Sequence, residues 1–406
     1  AVTGHDTGPL LARLRDGGWL DITVTDGDRA LYTIRPLRSP PPVPPADARE
    51  LTLSRFAVLR ADGHGMVLES PHAWCEIRIH DPAVAAALAG LAGAGPRVAA
   101  PALPAPVLGR LPRDLRRAAL AVPRGGDADA PEARSRQWSP HELWFHDRSR
   151  LGDRGRDGFG ATFRARGPSD PPPVRPDPYP GPAIALHRPD LDALRRADPP
   201  LTAVLEDRRS VRAHDEDRPL TARQLGAFLH RCARTRRGWA VDGVQQASRP
   251  YPSGGALYEL EVYPVVSQVA GLDPGMYHYD SHGHRLRLVA GDGDPAVRRL
   301  LRVAGRTSAA GPPAQVLLVL SARMDRVLWK YEAMGYALVL KHVGALYQTM
   351  YLVATAMGLA GCAVGAGDAA AFARATGRDP VVECGVGEFI LGSLPAGAEP
   401  PARTGG

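Results

Sequence analysis

One almost wholly apolar segment constrains this chain more than any other feature. Over residues 335–357 the apolar side chains fall on every side of a helical wheel. This pattern predicts a helix that is buried all round or shared between two subunits. Gly358 provides a stop signal. A membrane span needs ~20 apolar residues, and Lys341, His342 and Gln348 interrupt this run well before that. We therefore expect a core helix and no membrane partner.

Lys330 and Tyr331 stand just before this helix, and the composition singles out the lysine. Of the 50 Lys and Arg residues only two are lysines, Lys330 and Lys341, and asparagine does not occur at all. A bias of this kind, typical of GC-rich coding, replaces lysine wherever arginine serves equally well. A lysine that remains is a candidate for a task that needs an amine able to titrate. The alternative is a solvated lysine at a helix entrance, and both interpretations stay open.

Length and composition describe an ordinary globular protein. The chain has 406 residues, of which 44% are hydrophobic and 23% charged, enough for about two or three domains. The net charge of +7 would suit an anionic ligand, an acidic peptide or nucleic acid. Because the arginines are spread along the whole chain, we expect no nucleic-acid partner. The N-terminal residues lack a signal-peptide pattern, so we expect a cytoplasmic protein.

Metal and redox sites lack support in the sequence. The cysteines form no CxxC pair, which disfavours a zinc ribbon or a redox dithiol. His141 and His146 lie five residues apart in HELWFH, so they would not share a helix face as zincin ligands do. The histidine-rich run 278–284 crosses a predicted hairpin turn. We expect no metal at either place.

The first half of the chain divides into three parts. Residues 1–38 are typical of a small helix-plus-wing unit, and residues 47–92 of a small unit of strands and one helix. Such units commonly bind peptides by strand addition at an exposed sheet edge. Residues 93–190 are rich in Pro, Gly, Ala and Arg, and we expect a connector there.

Residues 191–400 carry sharper signals and are expected to form the main domain. Thr221 opens a helix with a capping box. In the segment that follows a Pro/Ser/Gly loop, Tyr258, Leu260 and Val262 alternate with Glu259 and Glu261, which predicts a strand.

Three short motifs in this domain suit a flat ligand that carries a phosphate. The first places three guanidinium groups and a hydroxyl within five residues: Arg208, Arg209, Ser210 and Arg212. This set suits charge-assisted phosphate binding, although a solvated basic turn fits it equally well. The other two are small-residue loops that let backbone approach a ligand closely: Pro252, Ser253, Gly254 and Gly255, and Gly365, Ala366 and Gly367. The sequence contains no Walker A motif and no GxGxxG near residue 365. It therefore does not support a P-loop or a dinucleotide-binding site.

Together these motifs resemble a known family. RRSVR, PYPSGGALYELEVYPV, GMYHYD, WKYE and the long helix, with WSPHELWFHDRSR upstream, closely resemble the SagB/ThcOx-type azoline dehydrogenases. These are FMN-dependent members of the nitroreductase superfamily found in thiazole/oxazole-modified peptide biosynthesis. The resemblance covers roughly residues 138–395. It implies an α+β sandwich with a central, mainly antiparallel sheet, a homodimer with FMN at the subunit interface, a precursor-peptide substrate and a heterocyclase partner. The N-terminal units resemble the winged-helix-like peptide-recognition modules of this branch more loosely.

The resemblance also implies roles for individual residues. The arginine motif 208–212 would hold the FMN phosphate and ribityl end, residues 252–255 would line the flavin from the partner subunit, and residues 365–367 would meet the isoalloxazine ring near N5. Gln348 would face the cofactor from the long helix. Lys330-Tyr331 matches the catalytic Lys-Tyr pair of the family. Nitroreductase relatives often have asparagine after the Pro-Ser loop; glycine stands there in this chain, which fits the peptide-tailoring branch.

Azoline oxidation gives such a pair a chemical purpose. Aromatising the ring removes one hydrogen as a hydride, which flavin N5 accepts, and another as a proton, which a nearby base accepts. Adjacent Lys and Tyr supply either kind of base, and the sequence does not assign which one acts. Two other functions stay open: an NAD(P)H-dependent nitro, quinone or enone reductase on the same fold, and a flavin-free scaffold that presents a peptide to a heterocyclase.

Overall fold

The computed structural model divides into two compact units, Ala1–Asp157 and Gly158–Gly406. The structure describes residues 7–45, 49–93, 103–125, 131–153, 158–308 and 314–397. Parts of the predicted domains lie outside the described residues, namely 1–6, 47–48, 94–102, 126–130, 154–157, 309–313 and 398–400.

The first unit is organised around an antiparallel sheet. Its elements are α1 Gly8–Asp16, β1 Ile22–Asp26, β2 Arg29–Pro36, β3 Leu51–Leu53, β4 Val58–Ala61, β5 Met66–Glu69, β6 Cys75–Ile79, α2 Pro82–Ala92, α3 Ala105–Arg117, β7 Ala121–Pro123, α4 Pro131–Arg134 and α5 Pro140–Arg148. The sheet order is β1-β2-β6-β5-β4. Strand β2 pairs directly with β6, with Tyr32 opposite Ile79. The segments 1–38 and 47–92, predicted as separate units, therefore contribute to one sheet.

The segment 93–190, predicted as a connector, is divided between the two units. Helix α3 places Val107, Leu111 and Leu115 in the core of the first unit. Their spacing of four residues is a helical apolar stripe, which the high content of Arg and Pro obscures in the composition. The boundary between the units, after Asp157, falls inside the predicted connector. The prediction of a connector is therefore wrong for the part of this segment before Asp157, where α3 contributes to the core of the first unit.

The second unit contains the predicted main domain. Its elements are β8 Ala183–Ala185, α6 Leu191–Ala197, α7 Leu201–Asp207, α8 Ala222–Ala233, β9 Arg237–Val241, β10 Val244–Ser248, a 3-10 turn Gly254–Ala256, β11 Leu260–Val266, β12 Gly275–Asp280, β13 Arg285–Gly291, α9 Pro295–Ser308, β14 Val316–Arg323, α10 Met324–Leu328, α11 Gly335–Ala356, β15 Leu359–Val364, α12 Ala369–Thr376 and β16 Glu383–Ser393. The capping box at the start of α8 is confirmed, because the Thr221 hydroxyl accepts the Gln224 N–H.

A seven-stranded sheet forms the middle layer of this unit, in the order β15-β16-β14-β11-β12-β13-β8 with antiparallel neighbours throughout. Alternate residues of the central strand β14 enter two different cores. Leu318 and Leu320 pack in a cluster with α8 and α11, whereas Leu317 and Val319 pack in a cluster with α9 and α12. Helices on both faces of an antiparallel sheet make an α+β sandwich, which confirms the predicted fold class.

Helices on both faces of the sheet also bury the two glutamates at the start of the predicted strand β11. Glu259 and Glu261 are 0% and 2% exposed. Glu261 lies among buried partners, 3.1 Å from His278 Nε2 and 3.7 Å from Arg249. Buried carboxylates need such partners, so alternation of Glu with apolar residues marked a buried polar network and not a solvated face.

Helix α11 is the predicted long helix, and its bounds agree with the prediction to one residue. Within one chain it buries one stripe: Gly335, Val339, His342, Val343, Leu346, Met350 and Ala354. Tyr336 and Leu340 on another face remain 42% and 39% exposed. Burial on every side is therefore wrong for the single chain, and sharing between subunits stays a prediction. None of the described helices has the length and apolar character that crossing a membrane requires.

Candidate functional site

A cavity of about 410 Å³ opens along one face of α11. Its lining comes from α11, from the loop after β15 and from β16: Tyr336, Leu340, Val343, Gly344, Tyr347, Val364, Gly365, Gly367, Ala369, Gly385, Val386, Gly387 and Glu388. Two of the three residues of the predicted glycine loop thus line this cavity, and Ala366 is exposed between them. A volume of this order accommodates a flat, multi-ring ligand.

One carboxyl group faces this cavity in an unusual electrostatic setting. Burial, and then the charge of Asp368, raise the pKa of Glu388 to about 7. Its backbone N–H donates to the Tyr347 hydroxyl at 2.7 Å. A side chain at Gly367 would overlap the Glu388 carboxyl, so a larger residue there would displace this carboxyl from its present position. Near neutral pH the cavity therefore contains a group that can gain or lose a proton.

The arginine motif lies one helical turn beyond the cavity. Val211 N–H donates to Gly361 O at 3.0 Å, which fixes the segment beside β15. The Ser210 hydroxyl lies 2.9 Å from the Tyr351 hydroxyl, and the Arg208 guanidinium lies 5.2 Å from the centroid of the Tyr351 ring. Tyr351 follows the cavity residue Tyr347 by four positions on α11, and such residues share one face of a helix. The arginine motif and the glycine loop thus serve one continuous surface.

Gln348 is placed less favourably than predicted. Its side chain is exposed on α11, and it does not line the cavity. At ~100° per residue it is rotated away from Tyr347 toward the exposed face of the helix.

Lys330 and Tyr331 converge on the other glycine loop. Gly255 has φ +62, and a Cβ atom built there would lie 2.6 Å from Lys330 Nζ and 2.8 Å from the Tyr331 hydroxyl. Glycine suits the positive φ of this position, and its missing side chain lets Lys330 and Tyr331 approach the backbone closely. Of the rest of this loop, Pro252 is exposed, and the Ser253 hydroxyl accepts the Tyr258 N–H at 3.0 Å.

Residues from the predicted connector form the wall around this pair. Phe163 N–H donates to Lys330 O at 3.1 Å, and Lys330 Nζ lies 5.5 Å from the centroid of the Phe163 ring. Phe163 also packs edge-on against Trp329 at 5.9 Å. Burial, and then the charge of Glu259, raise the pKa of Tyr331. The Tyr331 hydroxyl therefore keeps its proton at neutral pH.

The two groups of candidate residues lie on different sides of α11. Leu338 and His342 contact Gly254, whereas Leu340 and Gly344 line the cavity. At ~100° per residue, positions two apart on a helix point ~200° apart. We name these the lysine side (252–255, 330, 331 and 342) and the cavity side (208–212, 347, 351, 365–367 and 388). One chain does not bring Lys330 to its own cavity.

Several polar residues of the site were not predicted from sequence. Tyr351 holds the arginine motif, Glu388 faces the cavity, and Glu259 and His342 lie behind Gly254. The sequence did indicate buried roles for Glu259 and His342, because a histidine inside an apolar helix and a glutamate inside an apolar strand both need buried partners. Among the described residues no group of three or more His, Cys, Asp or Glu could hold a metal ion.

Comparison with known proteins assigns the family. The family model described as nitroreductase family matches residues 205–392, and the model described as cyanobactin oxidase ThcOx matches residues 51–155. A protein of Methanocaldococcus jannaschii that is named as a nitroreductase is 31% identical over 188 residues, which are 46% of this chain and 86% of that protein. The chain belongs to the nitroreductase family. This assignment, together with the ThcOx match, confirms the resemblance stated from the motifs and indicates an oxidoreductase.

Another protein with a similar sequence is named for processing microcin B17. The microcin B17-processing protein McbC of Escherichia coli is 35% identical over 117 residues, 27% of this chain and 42% of McbC. A solved microcin synthetase McbBCD complex of E. coli, with truncated pro-MccB17 bound, contains a chain that is 23% identical, with a TM-score of 0.39, covering 53% of this chain and 77% of that one. A nitroreductase of Exiguobacterium sibiricum solved with FMN is 11% identical, with a TM-score of 0.35, covering 51% of this chain and 94% of that one. At these TM-scores the structural likeness adds nothing to the family assignment.

Proposed function

We propose that this nitroreductase-family chain is an FMN-dependent dehydrogenase that oxidises thiazoline or oxazoline rings of a ribosomally made peptide to thiazole or oxazole. The observation that carries the proposal is the convergence of Lys330 Nζ and the Tyr331 hydroxyl on Gly255. An amine and a phenol held together at a bare stretch of backbone suit proton removal from a flat ring. The ThcOx match and the peptide-processing function that the name of McbC states support a peptide as the substrate.

The cavity side fits FMN. Gly365 and Gly367 present backbone to a cavity of about 410 Å³, and the arginine motif with Ser210 offers donors for a single phosphate one turn further along α11. We assign Arg208, Arg209, Ser210 and Arg212 to the phosphate end, residues 365–367 to the ring and Gln348 to the edge of the site. When bound, FMN supplies the acceptor for the hydride.

On the lysine side, we assign the proton acceptor to Lys330. The raised pKa of Tyr331 keeps its hydroxyl protonated, so this hydroxyl can donate a hydrogen bond to a ring heteroatom but cannot accept the ring proton. Lys330 Nζ approaches the same stretch of backbone and is the remaining group of the pair for this role. Gly255 presents bare backbone next to both groups.

We further propose that the working protein is a homodimer in which each site takes its cavity side from one chain and its lysine side from the other. The two sides face away from each other across α11, and its exposed Tyr336 and Leu340 offer an apolar surface to a second copy. We assign recognition of the precursor peptide to the first unit, with a heterocyclase as a further partner and the cytoplasm as the location. The ThcOx match over residues 51–155 lies within the first unit and supports its part in peptide processing.

The test combines a spectrum with a product. The purified protein should show a flavin absorption spectrum with one FMN per chain, and it should remove two hydrogen atoms from a synthetic peptide that carries one thiazoline. A yellow protein that leaves the peptide unchanged but oxidises NAD(P)H rapidly with a nitro or quinone acceptor would be a reductase instead. A colourless protein that binds no FMN would be the scaffold.

A further inference from the structure

A buried chain of hydrogen bonds runs from a carboxylate to the glycine loop. Glu259 Oε1 lies 2.6 Å from His342 Nδ1, with side chains 0% and 7% exposed. On the other edge of the same imidazole ring, Gly254 N–H donates to His342 Nε2 at 2.7 Å. The Ser253 hydroxyl adds a contact of 3.3 Å to Glu259 Oε2. The loop is therefore tied to α11 at its first glycine.

These contacts fix the proton on the imidazole ring. Nε2 accepts the Gly254 N–H, so it carries a lone pair and no hydrogen, and the ring proton is on Nδ1. Nδ1–H then donates to the Glu259 carboxylate, which holds the ring in one orientation as carboxylate partners commonly do for functional histidines. A backbone N–H and a carboxylate thus define one tautomer and one position for His342.

The fixed position of Gly254 affects the candidate catalytic pair through the next residue of the loop. Gly255, which Lys330 Nζ and the Tyr331 hydroxyl approach closely, directly follows the tied Gly254. Leu338 Cδ2 packs on the same side of Gly254 as His342, with Leu338 Cδ2 at 2.8 Å and His342 Nε2 at 3.2 Å from where a Cβ atom would be. The loop cannot shift toward α11, because Leu338 and His342 fill that space, and it cannot shift away without losing the bond to Nε2.

We propose that His342 and Glu259 are positioning residues, which hold the Gly254–Gly255 backbone at a fixed distance from Lys330 and Tyr331. Their effect on catalysis rests on the proposed function, whereas their effect on the loop does not. His342 supplies the acceptor for Gly254. Glu259 orients His342 and places a negative charge within reach of Tyr331. A shift of ~1 Å in a positioned group can cost ~10²-fold in rate, so this pair should matter as much as a residue that touches the substrate.

The test compares two variants at His342 of the flavin-loaded protein with a control histidine variant and with Glu259→Gln. In His342→Gln the side-chain amide reaches the position of Nε2 and can still accept the Gly254 N–H. In His342→Asn the shorter side chain reaches only the position of Nδ1, so Gly254 loses its acceptor. We expect His342→Asn to retain FMN, to speed amide hydrogen exchange of residues 252–257 by ~10-fold or more and to lower kcat for the thiazoline peptide by ~10²-fold with little change in KM. His342→Gln should stay within a few-fold of the wild type in both measurements.

His284→Asn is the matched control. His284 is also a buried histidine with hydrogen bonds, to Tyr279 and to His187 O, and its φ of +51 suits asparagine. This control should leave exchange of the 252–257 segment unchanged. Exchange in His342→Asn that equals the wild type, or a His342→Gln variant as defective as His342→Asn, would overturn the positioning role. Failure of every variant and of the wild type to oxidise azolines would instead refute the proposed function, and the exchange result would still stand.

Glu259→Gln provides a second, milder variant in case His342→Asn does not fold. Glutamine can still accept from Nδ1–H, so the exchange of the loop should stay as in the wild type. Among the described residues, the charged groups that face Tyr331 are Lys330 and Glu259. Removing the Glu259 charge should lower the pKa of Tyr331. An absorbance titration measures this pKa when the curve of the same protein carrying Tyr331→Phe is subtracted. An unchanged titration, or a loop that exchanges freely in Glu259→Gln, would contradict the assignment.

Discussion

The two sides of α11 differ in how much of their structure is in place before any ligand binds. On the lysine side, buried hydrogen bonds and close contacts fix each group: Gly254 is tied to His342, and Gly255 is enclosed by Lys330 and Tyr331. On the cavity side, glycines line an open volume, and Ser210 and Arg212 are exposed. Proton transfer depends on sub-ångström placement, whereas a large cofactor with a phosphate brings much of the order that its site needs. The difference indicates that the lysine side is preorganised for chemistry and that the cavity side is suited to binding.

The largest effect should come from breaking the cavity side at its arginines. Replacing Arg208 and Arg212 together with alanine removes two charge-assisted interactions with the phosphate, each contributing ~1.5–3 kcal/mol. We expect FMN to bind ~10²–10⁴-fold more weakly, measured by flavin fluorescence on titration into the apoprotein.

Arg195 and Arg196 give the matched control. They form a similar basic pair on the helix Leu191–Ala197, and the Arg195 side chain is 82% exposed. Their double alanine variant should bind FMN like the wild type. Full flavin occupancy in the Arg208/Arg212 variant would remove these residues from the cofactor site.

Breaking the lysine side should spare the flavin and stop the chemistry. Lys330→Ala should retain FMN and lose azoline oxidation by ~10²-fold or more, the scale that general-base catalysis contributes. Lys330→Arg should be little better, because a guanidinium stays protonated and cannot accept the ring proton. Turnover of a thiazoline peptide at matched flavin loading measures both.

The control is Lys341→Arg, at the only other lysine of the chain, which is exposed on α11. It should be nearly silent. Equal activity of the two arginine variants would show that the lysine at 330 has no chemical task and that the base is another group.

Mixing the two broken proteins tests whether one site uses both sides from different chains. If the sides meet across a dimer interface, unfolding and refolding an equal mixture of the Arg208/Arg212 variant and Lys330→Ala should form heterodimers with one intact site. Random pairing predicts recovery to about a quarter of the wild-type activity. Activity no greater than the mean of the two parent variants would contradict a shared site, as would a flavin-loaded monomer in light scattering at low concentration.

The sequence predicted the parts of the site that depend on local pattern. The bounds of α11, the capping box at Thr221 and the three motifs are all readable because helix periodicity and glycine loops act over a few residues. Contacts between distant segments were not readable. Phe163 reaches Lys330 across more than 160 positions, and the pairing of His342 with Glu259 depends on how a helix packs on a sheet. The burial of Glu259 and Glu261 was also not readable, because alternation of acidic and apolar residues cannot distinguish a solvated face from a buried polar network.

The smallest effect concerns Glu388, whose carboxyl is held out of water on the cavity side. Its pKa is raised from 4.5 to about 7 in the folded chain, so between these values the folded state keeps a proton that the unfolded state has released. The stability that this proton provides is fully present below pH 4.5 and is lost as the pH rises through about 7. Glutamine mimics the neutral form, so Glu388→Gln should match the wild type near about pH 5 and exceed it by ~1–2 kcal/mol near about pH 8, at equal flavin loading, in urea unfolding. Burial lowers the pKa of His214 and His230 to about 4, which destabilises both proteins alike at acid pH and cancels in the difference. Glu206→Gln, at an exposed glutamate, should show no such pH dependence. A difference between Glu388→Gln and the wild type that is constant with pH would show that this carboxyl ionises as it does in water, and that the cavity side is as solvated there as an open surface.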